Sequence, residues 1–376
     1  MTWRGGALAH PKTEQLADKK LVITIIGLLV FGLVMLFSAS LVAGYVKGGS
    51  SLYFIKHQLF GLALGLPAMI ILSKINYHYL KPWALYALIG SFLLLSLVFI
   101  PGLGAGYGKA QNWINVFGFS VQPSEFVKLL FLIYLAAWLE VKADRINSFK
   151  DSLGPLVFII AAISILMLKQ PDLGTLSIIL GSSLIVYFVA GIKWRYIAAI
   201  LVIAAMALLI LLNQKSNKMD RIECFQHPEI NAGEQCYQIN QSLIAIGSGG
   251  FLGRGLGESR QKFMYLPEVW SDSIFAVIAE EVGFLFSLAL IAAYFFLAYR
   301  GLMIASRAPD LFGRYLAVGI SAWVVVQAIL NIGGAMNFIP MTGVPLPFVS
   351  SGGSALLALL AAMGILINIS RQTVKS

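Results

Sequence analysis

The chain has 376 residues, of which 59% are apolar and only 12% charged, with a mean hydropathy of +0.83. A soluble domain carries roughly 25% charged residues, so this composition excludes a soluble globular protein and specifies an integral membrane one. The net charge of +10 suggests a polyanion, but the cations follow membrane topology and no nucleic-acid partner is expected. Two cysteines are too few for a disulfide scaffold, and no Cys/His cluster has zinc-ligand spacing.

Met1 to Lys20 is polar and lacks the apolar core of a cleavable signal, so 1–20 is expected to be a tail. Ten apolar segments follow, near 21–45, 55–74, 82–100, 123–141, 154–169, 172–191, 195–213, 272–299, 313–337 and 353–370. Each is close to the roughly 20 residues needed to cross a bilayer as a helix. The predicted fold is therefore an all-α polytopic membrane protein with about ten transmembrane helices in one domain, 21–370, closed by a short tail, 371–376. Lys and Arg gather in short cytoplasmic loops. With the N-terminus inside, that side holds about sixteen of the 27 basic residues, among them Lys19, Lys20, Lys74, Lys81, Lys142, Arg300, Arg307 and Arg371. Both termini are thus expected in the cytoplasm.

This orientation places one long loop, about 214–271, outside, between the seventh and eighth spans. Pro101 to Gln122, rich in glycine and aromatic residues, reads as an interfacial amphipathic helix or a hairpin. Phe338 to Gly352 carries three prolines and cannot continue a helix, so it is re-entrant or exposed.

Ionisable residues in the spans cost about 2.5–3.5 kcal/mol each at mid-bilayer. Glu125 and Lys128, three apart on one helix face, neutralise each other or meet a substrate. Asp172 follows Lys169-Gln170-Pro171 and caps the sixth span at its positive end. Glu280 and Glu281 lie two turns inside the eighth span. At least one faces the bundle interior, paired with a cation such as Lys128 or lining a polar cavity.

The densest polar stretch runs from Gly247 to Gly283. A basic, glycine-rich loop with Arg254, Arg260 and Lys262 precedes Asp272 at the mouth of the eighth span, an arrangement suited to an anionic head group beside a proton acceptor. The same residues read equally as a polar linker ending in a helix-capping aspartate. The six glycines between Gly247 and Gly257 are not a P-loop, because no Gly-Lys-Ser/Thr follows.

Ordered motifs then carry a resemblance. They are Phe37-Ser38-Ala39-Ser40; Trp113-Ile114; Gln122-Pro123-Ser124-Glu125 with Lys128; Gln170-Pro171-Asp172-Leu173-Gly174-Thr175; Tyr237-Gln238 with Gln241-Ser242-Leu243; Ala245-Ile246-Gly247-Ser248-Gly249-Gly250; Gly255-Leu256-Gly257; Gln261-Lys262; Tyr265-Leu266-Pro267-Glu268; Asp272-Ser273-Ile274-Phe275-Ala276; and Pro345-Leu346-Pro347-Phe348 with Gly352-Gly353-Ser354. Together they resemble the SEDS family, the FtsW/RodA/SpoVE group of bacterial cell-wall polymerases, and the loop around Gly255 to Lys262 is more like the division-associated FtsW branch.

The resemblance implies an inverting glycosyltransferase that polymerises lipid II, an undecaprenyl-pyrophosphate disaccharide-pentapeptide, outside the bacterial cytoplasmic membrane. Its implied partners are a class B penicillin-binding protein transpeptidase and other division proteins. The family's aspartate in Leu-Pro-Glu-x-His-Thr-Asp falls on Asp272, implied as the catalytic base. Arg254, Arg260, Lys262, Glu268, Gln241 and Ser242 are the implied substrate-binding residues, and a divalent cation (Mg or Mn) beside Glu268 and Asp272 is an implied cofactor. Trp270-Ser271 replaces the family's His-Thr, so no role for that histidine transfers. Cys236 stands where glycine is usual. With Cys224 it forms either a bridge or two free thiols, in a compartment that permits disulfides. A lipid II translocase and a catalytically silent division scaffold fit the same span pattern. A translocase would depend more on Glu125, Lys128, Glu280 and Glu281 than on Asp272.

Overall fold

In the computed structural model, residues 16–107, 110–116, 119–198, 224–226 and 236–373 are described. Ten helices of eight or more residues can be traced among them. α1 (Lys19–Gly48) starts where Asp18 accepts a hydrogen bond from the Leu21 N–H, and ends at Gly49 in the left-handed region, two favoured terminators. α2 (Tyr53–Lys74) and α3 (Ala84–Leu97) follow. α4 (Pro123–Val141) opens on a proline at its first position, where the missing N–H costs nothing. α5 (Gly154–Lys169) and α6 (Leu173–Val189) flank the Gln170–Asp172 turn. The expected span 195–213 has only its first residues, to 198, in the described part, where they are helical; the rest lies outside it. α7 (Tyr237–Ser248), α8 (Ile274–Ser306), α9 (Leu311–Ala335) and α10 (Gly353–Arg371) complete the set.

Among the described residues, six helical stretches are long and apolar enough to cross a membrane: 19–48, 53–74, 149–169, 274–306, 311–335 and 353–371. α3 and α6 are apolar but shorter. α4, with 19 residues, carries Glu125, Lys128 and Glu140. The chain is a multi-pass membrane protein.

The all-α expectation needs one correction. Residues 104–121 form a three-stranded antiparallel sheet, β1 (Gly104–Tyr107), β2 (Ala110–Val116) and β3 (Phe119–Val121), with Gly104 opposite Ile114 and Ile114 opposite Val121. The hairpin reading was right and the helix reading was not. Aromatic and β-branched residues at Trp113, Ile114 and Val116 favour the extended form.

α2 and α10 approach most closely where side chains are smallest. A Cβ on Gly61 would lie 2.6 Å from the Gly353 Cα, and one on Gly364 would lie 2.5 Å from the Met69 carbonyl. Lipid supplies no hydrophobic drive between helices, so such small-residue contacts carry the packing.

The two ends of the bundle differ. At one end Asp18 pairs with Arg300 and its N–H donates to Ser370 Oγ, so the start of α1 and the finish of α10 lie side by side. Here Asp310 caps α9 through the Gly313 N–H and accepts hydrogen bonds from Tyr77 and His78. Burial alone raises the Asp310 carboxyl; the hydrogen bonds from His78, Tyr77 and Gly313 overcome it and hold the group below the usual carboxylate value. Its stabilisation is therefore complete above the unfolded pKa of about 3.9, and is lost as pH falls toward the lower folded value. Asp310→Asn is expected to flatten the acid side of the unfolding midpoint measured in detergent below about pH 5. An unchanged acid slope would remove Asp310 from that role.

Candidate active site

Asp272 lies at the opposite end, in the turn before α8, and three elements meet there. Its backbone carbonyl accepts from Asn331 Nδ2 of α9 at 2.9 Å, and the same amide donates to the Val344 carbonyl at 2.7 Å. Gln238 of α7 donates to Ser273 Oγ at 2.9 Å and stands 3.4 Å from Asp272 Oδ1. The segment 338–352 closes the third side. Ser350 Oγ donates to the Ser271 carbonyl at 2.6 Å, and the Ser351 N–H donates to the Trp270 carbonyl at 2.8 Å. Gly343, at φ 72°, faces the second carboxylate oxygen; a Cβ there would stand 3.7 Å from Asp272 Oδ2. A glycine at this point takes the left-handed backbone conformation and adds no side chain of its own beside that oxygen.

Trp270, which replaces the family's histidine, is a packing residue. Its ring stacks on Phe54 of α2 at 4.5 Å, and Lys47 Nζ sits 4.1 Å above it. Lys47 also pairs with Glu268 at 3.2 Å, both being about half exposed. A cation is thus tied to the turn that carries Asp272.

A buried polar layer supports the prolines. Glu125 and Lys128 pair at 2.8 Å with both side chains only 1% exposed. Lys128 donates to Gln327 Oε1 at 3.0 Å, and Gln327 Nε2 donates to the Pro345 carbonyl at 2.8 Å. Proline cannot supply a backbone donor, and two such residues in one buried segment leave carbonyls in need of side-chain partners. Gln327, Asn331 and Tyr294, which donates to the Pro347 carbonyl at 2.6 Å, meet that need.

The expected outer loop 214–271 is corrected in part. Its glycine-rich section lies alongside α8, in a break at Gly283, whose φ of 76° and ψ of −175° are not helical. The N–H groups of Arg254 and Gly255 donate to the carbonyls of Glu280 and Glu281. The N–H groups of Phe284 and Leu285 donate to Gly250 and Phe251. These residues stand roughly 9–17 Å further along the helix than Ile274. Backbone at such depth must be satisfied by protein, and the interrupted ladder of α8 provides the partners. Two glycines permit the approach: a Cβ on Gly253 would lie 2.2 Å from the Glu281 carbonyl oxygen, and one on Gly283 would lie 2.2 Å from the Gly253 nitrogen. Gly283→Ala is expected to cost about 1–3 kcal/mol in backbone strain, with the clash in addition. A lowered unfolding midpoint checks it, and an unchanged one would mean that the loop is not docked in this way.

This docking reassigns several residues. Glu280 accepts from Ser259 Oγ at 2.6 Å and from the Arg260 N–H at 3.0 Å, so it organises the loop. Glu281 pairs at 2.8 Å with Lys262, not with Lys128, and accepts from Ser38 of α1 at 2.7 Å. Lys262 is 3% exposed, and its cation is engaged by Glu281 and the Gly257 carbonyl. Ser242 is fully buried on α7. Gln241 is half-buried on the same helix. Arg254 donates to the Ser248 carbonyl at 3.1 Å and lies 3.8 Å from Glu280; Arg260 is exposed. Asp172 caps α6 as expected and also accepts from Asn112, Gln122 and Ser124, which ties β2 and α4 to it. Cys224 and Cys236 form a disulfide.

Sequence reasoning missed Lys47, Gln238, Gln327 and Asn331 as site residues. The last two had a signal: two amides four apart in an apolar span lie on one helix face.

Of the two carboxylates expected beside a divalent cation, Asp272 lies in the turn before α8 and Glu268 four residues earlier in the same stretch. Among the described residues no group of three or more His, Cys, Asp or Glu side chains gathers, and Glu268 is paired with Lys47.

Comparison with known proteins agrees with this architecture. The FtsW/RodA/SpoVE cell cycle protein family matches residues 19–375. Stage V sporulation protein E of Bacillus subtilis (strain 168) is 39% identical over 356 residues, covering 95% of this chain and 97% of the relative. A probable peptidoglycan glycosyltransferase FtsW of Trichlorobacter lovleyi is 37% identical over 353 residues, covering 94% of this chain and 93% of the relative. A solved chain described under structural coordination of polymerization and crosslinking by a peptidoglycan synthase complex superposes with a TM-score of 0.78 at 26% identity, covering 94% of this chain and 98% of that one. The rod shape determining protein RodA of Thermus thermophilus superposes with a TM-score of 0.71 at 27% identity, covering 96% and 98%. Matched along nearly its whole length in both sequence and fold, the chain belongs to the FtsW/RodA/SpoVE family.

Proposed function

We propose that the protein is a peptidoglycan glycosyltransferase that polymerises lipid II into glycan strands during septal wall synthesis, with its active site on the outer face of the cytoplasmic membrane. The observation that carries this reading is the convergence of α7, α9 and the 338–352 segment on the turn bearing Asp272. An acceptor sugar 4-hydroxyl gives its proton to the Asp272 carboxylate as its oxygen bonds to the donor anomeric carbon. The bond from that carbon to the lipid diphosphate breaks, and the diphosphate leaves with the electron pair. Attack opposite the leaving group inverts an α-linked donor to a β-1,4 product. A positioned base of this kind contributes about 10²–10⁴ in rate. Lys47, tied to the same turn through Glu268 and Trp270, is the cation suited to the departing diphosphate.

A class B penicillin-binding protein and other division proteins are the proposed partners, and the FtsW-named relatives and the synthase-complex fold match support that pairing. A translocase reading loses support because its intramembrane charges are taken up by fixed neighbours, Glu125 by Lys128 and Glu281 by Lys262. The test is polymerisation of lipid II by the purified chain, alone and with a cognate transpeptidase. Glycan polymer in either arm is expected; transbilayer movement of lipid II without polymer in both would sink the reading.

A further inference from the structure

We propose that Gln238 is a positioning residue for Asp272 and that the Cys224–Cys236 disulfide holds it there, which makes polymerisation sensitive to dithiol reductants. The inference rests on the reading of Asp272 as the base.

Gln238 bridges α7 to the catalytic turn, 2.9 Å from Ser273 Oγ and 3.4 Å from Asp272 Oδ1. An amide N–H directed at one carboxylate oxygen restrains the side-chain rotamer. It also turns the other oxygen toward the space beside Gly343.

Gln238 is two residues past Cys236, in the first turn of α7. That helix start has no side-chain cap, so another restraint must fix it. The disulfide provides one. Cys224, Cys236 and Ile239 form a small buried cluster against which Leu243 and Met341 pack. Asn337 Nδ2 donates to the Phe225 carbonyl at 3.2 Å, next to Cys224. Met341 is two residues before Gly343. The cluster therefore joins the two elements that flank the carboxylate, α7 on the Oδ1 side and the 337–344 segment on the Oδ2 side. A dithiol passes two electrons and two protons to the bridge, yielding two thiols and a cyclic disulfide, and the tie between the elements is lost. Both sulfurs belong to residues no more than 2% exposed, so paired substitution to serine is the cleaner route to the open state.

The experiment uses the full chain in lipid nanodiscs. Gln238→Ala and the paired Cys224→Ser/Cys236→Ser variant are each expected to lower kcat about tenfold with KM unchanged, as a misplaced group does. The triple variant is expected to be no slower than the slower of the two, since both act through one contact. Multiplying effects, or wild-type rates in Gln238→Ala, would overturn the proposal. Amide exchange on the wild-type protein, with and without dithiothreitol, gives a readout independent of activity. Reduction is expected to raise exchange both in Tyr237–Ser248 and in the turn before Ile274. A rise in neither, or in α7 alone, would overturn the coupling. A wild-type protein that makes no polymer either alone or with a cognate transpeptidase would instead refute the polymerase reading, and the exchange result would still decide the coupling.

Discussion

Asp272→Asn is expected to abolish glycan synthesis, with a fall of about 10²–10⁴ in rate, while leaving the protein inserted and folded. The substitution is isosteric, and the backbone carbonyl of residue 272 keeps its bond from Asn331. Ser271 and Trp270 likewise hold segment 338–352 through carbonyls that the change does not touch. The negative charge and the capacity to accept a proton are lost. Lipid II polymer resolved on a gel, beside the unfolding midpoint of the same preparation, checks the expectation. A variant polymerising within a few-fold of wild type would remove the carboxylate from the chemistry.

Lys262→Met is expected to be the most destabilising single change in the loop. Lys262 Nζ lies 2.8 Å from Glu281, 2.5 Å from the Gly257 carbonyl and 3.3 Å from Ser38 Oγ, and both charged partners are buried. Removing one member of a buried pair leaves an uncompensated charge and costs about 3–5 kcal/mol. Lys262→Met with Glu281→Leu is expected to recover much of that loss, because an apolar pair of similar volume is often neutral or better. Unfolding midpoints of the three proteins measure the difference. A Lys262→Met protein that stays fully stable yet loses polymerisation would restore Lys262 as a substrate ligand.

The spans were legible because hydrocarbon thickness dictates helix length, and nine of the ten expected segments have helices at their positions, while only the start of 195–213 falls in the described part. The carboxylate at the head of α8 was legible for another reason: polar residues cluster where water and chemistry are. What the sequence concealed was the identity of the partners. At least one of Glu280 and Glu281 was expected to pair with a cation such as Lys128 or to line a polar cavity; Glu281 does pair with a cation, but it is Lys262, nineteen residues away along the chain. Charge pairing in a bundle depends on which loop folds back, and no periodicity encodes that. The glycines from Gly247 to Gly257 read as part of an anion-binding loop or of a polar linker, whereas Gly249 and Gly253 are small because α8 carbonyls lie where their side chains would be. Trp270 and Phe54 meet across 216 positions, a stacking that only the tertiary arrangement reveals.

A helix transmits thrust along its axis only while its rungs are continuous. In α8 the rungs at Gly283 are rerouted through the residues from Gly250 to Gly255, so the opening nine residues, Ile274 to Val282, ride with that loop as one mechanical unit. A tilt imposed on the remaining length bends at the joint and leaves Asp272 in register with its supports.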